Sequence, residues 1–482
     1  MAGQDLSFVR TAMLAPQAPP ASQRGAVKWL RENLFTGPLN SVLTILAVLT
    51  LYYLVRLALP WLLHGVWNAN SLGECRTAIA ASFGPDASGA CWAVIRARWH
   101  QFIFGFYPRE LWWRPILAFS LLFVALAPVL FGDSKRSAAW LVGSVGALMV
   151  LALILVDGSI LHIGLALVGM LALTGLAATD PMRLLYVSAL FPFVALFLLW
   201  GGSIWGPVLA LGGFGVMVLI YRLSSLRFGV AMATVLGFLA ACVWWLFLQG
   251  LVAGPLASAL PIGLEKIDSD QFGGFLLAFV IGVSSIAVSL PIGILLALGR
   301  QSDMLLIKTL SVWFIEFVRG VPLITMLFTA SLLLQYFLPP QTNFDLILRV
   351  VILVTLFAAA YNAEVVRGGL AALPRGQYEA ADALGLDYWQ AQRLIVMPQA
   401  LKVSIPGIVS NFIGLFKDTT LVSFVGLMDP LRGVTTIVRA DINWKGIYWE
   451  PYIFVGAIFF AACFGMSRYS MYLERKLKTD HR

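Results

Sequence analysis

Repeated apolar segments of about 20 residues limit what this chain can fold into. Hydrophobic residues make up 60% and charged residues 12% of its 482 residues, whereas a soluble domain carries roughly 25% charged residues. An α-helix of about 20 apolar residues is long enough to cross the hydrocarbon core of a bilayer. Because backbone polar groups in lipid must be paired internally, we expect an all-α integral membrane protein.

About 12 transmembrane helices are predicted, and the third and fourth are separated by only two residues, Asp157 and Gly158. The candidate spans lie at about residues 40–62, 115–131, 138–156, 159–178, 184–200, 204–221, 229–252, 272–297, 321–338, 346–366, 403–425 and 450–467.

The basic residues indicate the orientation of these spans. Lys and Arg are enriched in the cytoplasmic loops of membrane proteins. With 12 spans, both termini and the alternate basic loops fall on one side, so both termini are predicted to be cytoplasmic. Basic residues that support this orientation include Arg24, Lys28, Lys135, Arg136, Arg183, Arg222, Arg227, Arg300, Lys308, Arg367, Arg375, Arg393, Arg468, Arg475 and Lys476. The net charge of +9 is therefore a topology signal, and no nucleic-acid partner is expected.

Three regions are expected along the chain. Residues 1–38 form a cytoplasmic tail, residues 39–255 a membrane extension with a periplasmic loop at 63–114, and residues 256–482 a second membrane region with longer polar loops. The segment RGAVKWLRENLF is either an interfacial helix on the inner leaflet or a simple extension of the first span. No cleavable signal peptide is expected.

The four cysteines fall into two groups. Cys242 and Cys463 lie in apolar runs, where cysteine usually serves as a packing residue. Cys75 and Cys91 lie in the 63–114 loop, which faces the periplasm in the predicted orientation. An oxidising compartment permits a disulfide there, and two unpaired thiols are the alternative.

No catalytic or metal-binding pattern is found in the sequence. The four histidines, His64, His100, His162 and His481, are scattered, and the chain has no HExxH, CxxC or GxxxxGK[ST] motif. We expect no catalytic residues, metal site or cofactor, and no ATP hydrolysis by this chain itself.

A polar segment, QYEAADALGLDYWQAQRLIVMP, interrupts the apolar second half. Tyr378 to Leu384 are predicted to form a short helix that ends at Gly385, a left-handed C-cap. Asp387 can cap a second helix with Gln390 in a capping box, and Pro398 is expected to end or redirect that helix. Small side chains on the first helix would let a partner approach closely.

This segment resembles the EAA loop of ABC importer permeases. Glu379, Ala380 and Ala381, then Gly385, Ile395 and Pro398, have the spacing of that loop. The segments EFVRGVPLITM, YNAEVVRGGLAALPRGQYEAA and FKDTTLVSFVGLMD are similar to permeases for polar amino acids. The long N-terminal extension resembles the larger, M-type permease of general L-amino-acid importers in Gram-negative bacteria.

The resemblance implies a type I importer permease with a five-helix core over about residues 272–470. The loop at 373–400 would contain the coupling helix that docks into the ATPase subunit. ATP and Mg would bind only to that partner, an ABC ATPase dimer. The other implied partners are a second, Q-type permease, a periplasmic amino-acid-binding protein and membrane lipids. The chain would be a transporter subunit of the bacterial inner membrane that takes up L-amino acids by ATP-driven alternating access.

Charged residues near the core spans have two interpretations each. Glu316 and Arg319, beside Gly320 and Pro322, form either an intrahelical ion pair or part of a gate. The run Lys417, Asp418, Thr419 and Thr420 lies within the eleventh span, where a lysine or aspartate costs about 2.5–3.5 kcal/mol. These four residues, with Asn411, either bind the two charges of an amino acid or form a structural network in which Lys417 snorkels.

The main alternative function is a 12-span secondary transporter driven by an ion gradient. Such a transporter would have related halves with ionisable residues near the midplane of both. The first half has neither feature. A membrane enzyme that uses the 63–114 loop is also disfavoured, because no catalytic constellation is found in the sequence.

Overall fold

The computed structural model describes residues 25–156, 158–337 and 345–477. The predicted tail up to residue 24, the junction residue Asp157 and the C-terminal basic residues Lys478 and Arg482 lie outside this range. The chain divides into two compact units, one ending at Ala97 and one beginning at Arg98. The predicted region boundaries at residues 38 and 255 remain predictions.

The described part of the first unit contains three complete helices and the start of a fourth. These are α1 (Gly25–Asn33), α2 (Pro38–Leu63), α3 (Leu72–Phe83) and α4 (Ala93–Phe104). α1 and α2 are separate helices, and the interfacial interpretation of α1 stays a prediction. In α1, Val27, Trp29 and Leu30 are all exposed.

The remaining helices of the extension follow in order. They are α5 (Trp113–Phe131), α6 (Lys135–Leu155), α7 (Ile160–Thr179), α8 (Leu185–Trp200), α9 (Trp205–Ser225), α10 (Val230–Val243) and α11 (Gln249–Ala259). A π-helical segment, Trp244–Leu248, joins α10 to α11. Short 3₁₀ helices lie at Arg109–Leu111 and Pro181–Leu184.

The described residues of the C-terminal region form nine α-helices. They are α12 (Gly274–Gln301), α13 (Leu305–Gly320), α14 (Leu323–Phe337), α15 (Leu346–Ala371), α16 (Gly376–Ala383), α17 (Tyr388–Ala391), α18 (Met397–Asp418), α19 (Pro430–Ala440) and α20 (Trp449–Leu477). Shorter 3₁₀ helices lie at Ser269–Gln271, Thr419–Val425 and Ile442–Trp444.

A pair of two-residue strands accompanies the helices. β1 (Gly202–Ser203) pairs antiparallel with β2 (Gly263–Leu264), with Gly202 opposite Leu264. Within the described residues, 11 helices are long and apolar enough to cross a membrane, or 12 if α13 and α14 count as one bent span. The expected all-α membrane fold is therefore confirmed.

The core of the second unit is built around α12 and α15, which form its most extensive helix pair. Gly293 of α12 makes this approach possible, because a Cβ atom there would lie 2.8 Å from the Cβ atom of Asn362 and 3.0 Å from the oxygen of Ala359. One apolar cluster joins Ala118 of α5 to Ile281 of α12 and Val354 of α15. The α5 helix of the extension thus packs into the same core as the C-terminal helices.

Hydrogen bonds attach the extension to the C-terminal helices near both ends of α5. Near its start, Arg114 Nη1 donates to the oxygen of Glu265 at 2.7 Å. Near its end, the Tyr469 hydroxyl donates to the oxygen of Leu130 at 2.8 Å, and Lys476 pairs with Asp133 at 2.9 Å. No physical role for the extension could be predicted from the residues alone. These contacts show that α5 is hydrogen-bonded and packed against the C-terminal region near both of its ends.

Candidate functional site

The polar hairpin begins with α16, whose C-terminus is closed by a Schellman motif. The Leu386 N–H donates to the oxygen of Ala381 at 3.2 Å, and the Gly385 N–H donates to the oxygen of Asp382 at 2.9 Å. Gly385 has a φ of +71°, the left-handed conformation that this motif requires. The predicted left-handed cap is therefore present, although the helix starts at Gly376 and ends at Ala383.

The second half of the hairpin begins with the predicted capping box. Asp387 Oδ1 accepts from the Gln390 N–H at 2.9 Å, and Gln390 Oε1 accepts from the Asp387 N–H at 3.1 Å. The helix does not end at Pro398, because helical structure continues from Tyr388 to Val425, and the alternative that Pro398 redirects it stays a prediction. A π-helical segment, Gln392–Val396, leads directly into α18, and Pro398 is the second residue of α18.

The outer surface of the hairpin is suited to contact with another protein. Glu379 and Ala380 are exposed, whereas Ala381 is buried against the chain. Leu384 is 72% exposed and Trp389 66% exposed. An exposed apolar patch beside polar residues is typical of a protein–protein contact.

The inner surface of the hairpin is attached to the core helices. Gln399 Nε2 of α18 donates to Gln377 Oε1 of α16 at 2.9 Å. Tyr378 packs against an apolar cluster that contains Leu298 of α12 and Leu370 of α15, and burial raises the pKa of its hydroxyl. A displacement of the hairpin would therefore be transmitted to several core helices together.

A cluster of charged residues, Arg300, Glu316, Arg319, Glu364 and Arg367, connects α12, α13 and α15; we call it the arginine–glutamate cluster. Glu364 lies at its centre, with a side chain that is only 18% exposed. Its carboxylate lies 2.6 Å from Arg300, 3.2 Å from Arg367 and 3.6 Å from Arg319.

The expected intrahelical pair of Glu316 with Arg319 is not formed between these described residues. Glu316 instead pairs with Arg300 of α12 at 2.9 Å, and Arg319 turns towards Glu364 and the ring of Tyr361. Arg300 and Arg319 both pair with the more buried carboxylate of Glu364, and Arg300 also pairs with Glu316. Both carboxylates therefore have an ion-pair partner. Sequence reasoning used Arg300 and Arg367 only as topology signals and missed their pairing with Glu364.

Gly320 and Pro322 mark a sharp change in chain direction. Gly320 is the last residue of α13, and Pro322 immediately precedes α14. The two helices are bent by 100° at this break, which Pro322 favours because it constrains the preceding residue to an extended conformation. Arg319, just before the bend, belongs to the arginine–glutamate cluster.

Asn411 belongs to a polar chain inside the helix bundle. Its Nδ2 donates to Asn362 Oδ1 at 3.2 Å, and Asn362 Nδ2 donates to Ser289 Oγ at 3.1 Å. Asn362 and Ser289 are fully buried, and Asn411 is half-buried. The three hydrogen-bonded side chains link α12, α15 and α18, which suits a structural role for Asn362 and leaves Asn411 as a pathway candidate.

The run from Lys417 to Thr420 is arranged around the end of α18. Lys417 is exposed and Asp418 half-buried, and neither makes an ion pair with another described residue. The hydroxyls of Thr419 and Thr420 donate to the backbone oxygens of Phe416 and Lys417, at 2.7 and 2.9 Å. The threonine hydroxyls are therefore committed as donors to the helix, and their role in substrate binding stays a prediction.

Cys75 and Cys91 form a disulfide whose Cα atoms are 5.8 Å apart. Both cysteines are buried in the first unit. The backbone next to Cys91 is also paired, since the Val66 N–H donates to the oxygen of Ala90 at 2.8 Å. The disulfide closes the part of the predicted periplasmic loop that contains α3.

Asp429 is a fully buried carboxylate at the start of α19, and it provides a pH-dependent contribution to stability. Burial raises its pKa to about 6, although the carboxylate accepts hydrogen bonds from the backbone N–H groups of Arg432 and Leu431, which lower it. The Asp429 carboxylate therefore binds a proton more tightly in the folded state than in the unfolded state. Its stabilising effect is complete below the ordinary pKa of 3.8 and is lost as the pH rises through about 6.

We expect wild-type protein to gain stability relative to Asp429→Asn when the pH is lowered from neutral towards the ordinary pKa of an aspartate. The full difference is about 3 kcal/mol, because a shift of one pKa unit corresponds to about 1.4 kcal/mol. Asparagine can still cap α19 but does not titrate, so the comparison cancels other titrating groups. Thermal unfolding of both proteins in detergent across this pH range measures the effect, and parallel pH profiles would contradict it.

The many helical spans, the capped hairpin and the charged cluster are consistent with a membrane-embedded transport component. Residues 289–479 match the family described as "Binding-protein-dependent transport system inner membrane component".

Two relatives match almost the whole chain. The "Glutamate/glutamine/aspartate/asparagine transport system permease protein BztC" of Rhodobacter capsulatus is 62% identical over 478 residues, which is 99% of this chain and 100% of the relative. The "Inner membrane amino-acid ABC transporter permease protein YhdY" of Escherichia coli K12 is 36% identical and covers 97% of this chain and 98% of its own length. The chain therefore belongs to the amino-acid ABC transporter permeases.

A shorter relative and a solved structure each match less than half of this chain. The "Glutamate/aspartate import permease protein GltK" of Escherichia coli O6:H1 is 31% identical over 42% of this chain and 91% of its own length. The structure "Crystal structure of an amino acid ABC transporter with histidines" is 27% identical over 48% of this chain and 98% of that chain, with a TM-score of 0.38.

These relationships confirm the predicted function class. The chain is a multi-pass inner-membrane permease subunit of an amino-acid ABC importer, and it is a transporter component rather than an enzyme. Importers of this family work with an ATPase and a binding protein. The ion-coupled secondary transporter is not favoured.

Proposed function

We propose that this chain is one of two related permease subunits in an importer for acidic amino acids and their amides. The substrate class is suggested by the name of the BztC relative, which is 62% identical over 99% of this chain. The partners would be a second permease, an ABC ATPase dimer and a periplasmic amino-acid-binding protein. Both termini and the hairpin would face the cytoplasm, as the distribution of Lys and Arg indicates.

The observation that carries the mechanism is the attachment of the hairpin to the core. In this proposal α16, with Glu379, Ala380, Ala381 and Gly385, is the coupling helix that docks into the ATPase. Leu384 is exposed for that contact, while Tyr378 packs against the core helices. Force applied to α16 would reach α12, α15 and α18 together.

The arginine–glutamate cluster is the proposed cytoplasmic gate. It joins the ends of α12 and α13 to α15 through ion pairs that can separate when the helices move. The chain itself would bind no cofactor, and ATP and Mg would bind only on the ATPase partner. Rearrangement of the hairpin and the cluster would then alternate access between the two sides of the membrane.

Uptake by the reconstituted complex tests this function. Proteoliposomes that contain both permeases and the ATPase, supplied with the binding protein, are expected to accumulate radiolabelled L-glutamate or L-glutamine only with internal ATP. An ATPase variant that binds but does not hydrolyse ATP should abolish accumulation, and an uncoupler should have no direct effect. Uptake that continues with the inactive ATPase and collapses with the uncoupler would contradict the proposal.

A further inference from the structure

A cavity of about 370 Å³ lies between the segment at residues 98–106 and α19. Arg98 and Gln101 line one wall, and Thr436, Ile437 and Asp441 line the other. Phe106 and Met428 add apolar surface. The cavity is separate from the hairpin and from the Lys417–Thr420 run, and none of its lining residues has a role in the function proposed above.

The charges of this cavity are balanced. Among the described residues that line it, the ionisable ones are Arg98 and Asp441, and they form an ion pair with each other. The side chain of Asp441 is 13% exposed and that of Arg98 is 35% exposed. Asp441 Oδ1 also accepts from the Asn443 N–H at 3.0 Å. A ligand with one positive and one negative group could contact both residues without leaving a net charge in the cavity.

Arg98 keeps hydrogen-bond donors that its ion pair does not use. The guanidinium of Arg98 presents five N–H groups, and its ion pair with Asp441 uses one terminal nitrogen, Nη2.

We propose that this cavity binds a zwitterionic α-amino acid with an uncharged side chain. Arg98 binds the α-carboxylate, Asp441 receives the ammonium group, and the side chain packs against Phe106 and Ile437. The proposal rests on the proposed orientation, which places the cavity on the periplasmic side, where substrate arrives. An amino acid with an anionic side chain brings an unbalanced charge and binds more weakly.

Protection of an introduced thiol tests this site without measuring transport. Thr436→Cys places a thiol in the cavity wall, and its modification by a charged methanethiosulfonate reagent is followed by mass spectrometry of the assembled complex in nanodiscs. The chain without this substitution gives the background from Cys242 and Cys463. L-Glutamine is expected to slow the modification about tenfold once its concentration is about ten times Kd.

Two substitutions and a second thiol make the result specific. Arg98→Gln, combined with Thr436→Cys, should remove the protection, whereas Arg96→Gln on the same helix should preserve it, since Arg96 instead contacts Asn68. Lys266→Cys places the thiol at an exposed position, 76% accessible, and should show no protection.

Several outcomes would overturn the proposal. They are an unprotected Thr436→Cys thiol, equal protection of Lys266→Cys, and protection that survives Arg98→Gln. Protection by L-glutamate as strong as by L-glutamine would overturn the charge-balance argument. Because thiol protection is measured independently of uptake, a failure here leaves the proposed transport function standing, and loss of ATP-dependent uptake leaves this site standing.

Discussion

Glu364→Gln is expected to destabilise the permease and abolish ATP-dependent uptake, although it only replaces one carboxylate oxygen with an NH2 group. The Glu364 carboxylate lies within 4 Å of three arginines, Arg300, Arg319 and Arg367. Without its charge, these three guanidinium groups repel one another in a partly buried environment, since their side chains are 26%, 34% and 41% exposed. The expected cost therefore lies between about 3–5 kcal/mol for breaking a buried ion pair and about 0–1 kcal/mol for an exposed pair. Thermal unfolding of the purified complex and uptake in proteoliposomes measure the two effects.

Glu316→Gln is the matched control for this experiment. It removes a carboxylate from the same cluster, but the Glu316 side chain is 54% exposed and, among the described residues, its ion pair is with Arg300. Exposed pairs contribute about 0–1 kcal/mol, so this variant should remain close to wild type in stability. If both variants lost stability equally, the central position of Glu364 would be wrong. If neither affected uptake, the cluster would not be a gate.

Gly385→Val is expected to uncouple ATP hydrolysis from transport while leaving the helix bundle folded. A Cβ atom at Gly385 would meet nothing within 4 Å, so the substitution creates no clash with neighbouring residues. Its effect comes from the backbone, because valine disfavours the φ of +71° by about 1–3 kcal/mol. The Schellman motif would open, and the angle between α16 and the following helix would change. The ATPase rate should then no longer rise when the loaded binding protein is added.

Gly376→Ala is the matched control for the hairpin. A Cβ atom at Gly376 would also meet nothing within 4 Å, but this glycine lies at the start of α16 without a positive φ. Alanine favours a helix relative to glycine by about 1 kcal/mol, so coupling should be preserved or slightly improved. Stimulated ATPase activity and uptake, measured at equal complex yield, distinguish the two variants. Intact stimulation and uptake in Gly385→Val would show that the hairpin does not couple the subunits through this turn.

Much of the hairpin could be predicted from the sequence because its determinants are local. Gly385 provides the left-handed turn, and Asp387 with Gln390 forms the capping box, all within a few residues. A local rule was not sufficient at Pro398, because helical structure continues through it from Tyr388 to Val425. The pair of Glu316 with Arg319 was also a local expectation. In the structure, Arg319 instead pairs with the more buried Glu364 of α15.

The sequence by itself determined that this chain is a helical membrane protein with a capped polar hairpin, and its motifs indicated the transporter class. These properties follow from hydrophobic length, charge distribution and contacts between near neighbours. Only the tertiary structure decided which distant charges meet. Arg300 reaches Glu364 across 64 residues, and Arg98 reaches Asp441 across 343. Such pairs depend on how helices pack, because a charged side chain in a crowded membrane protein pairs with whichever partner the packing brings within reach.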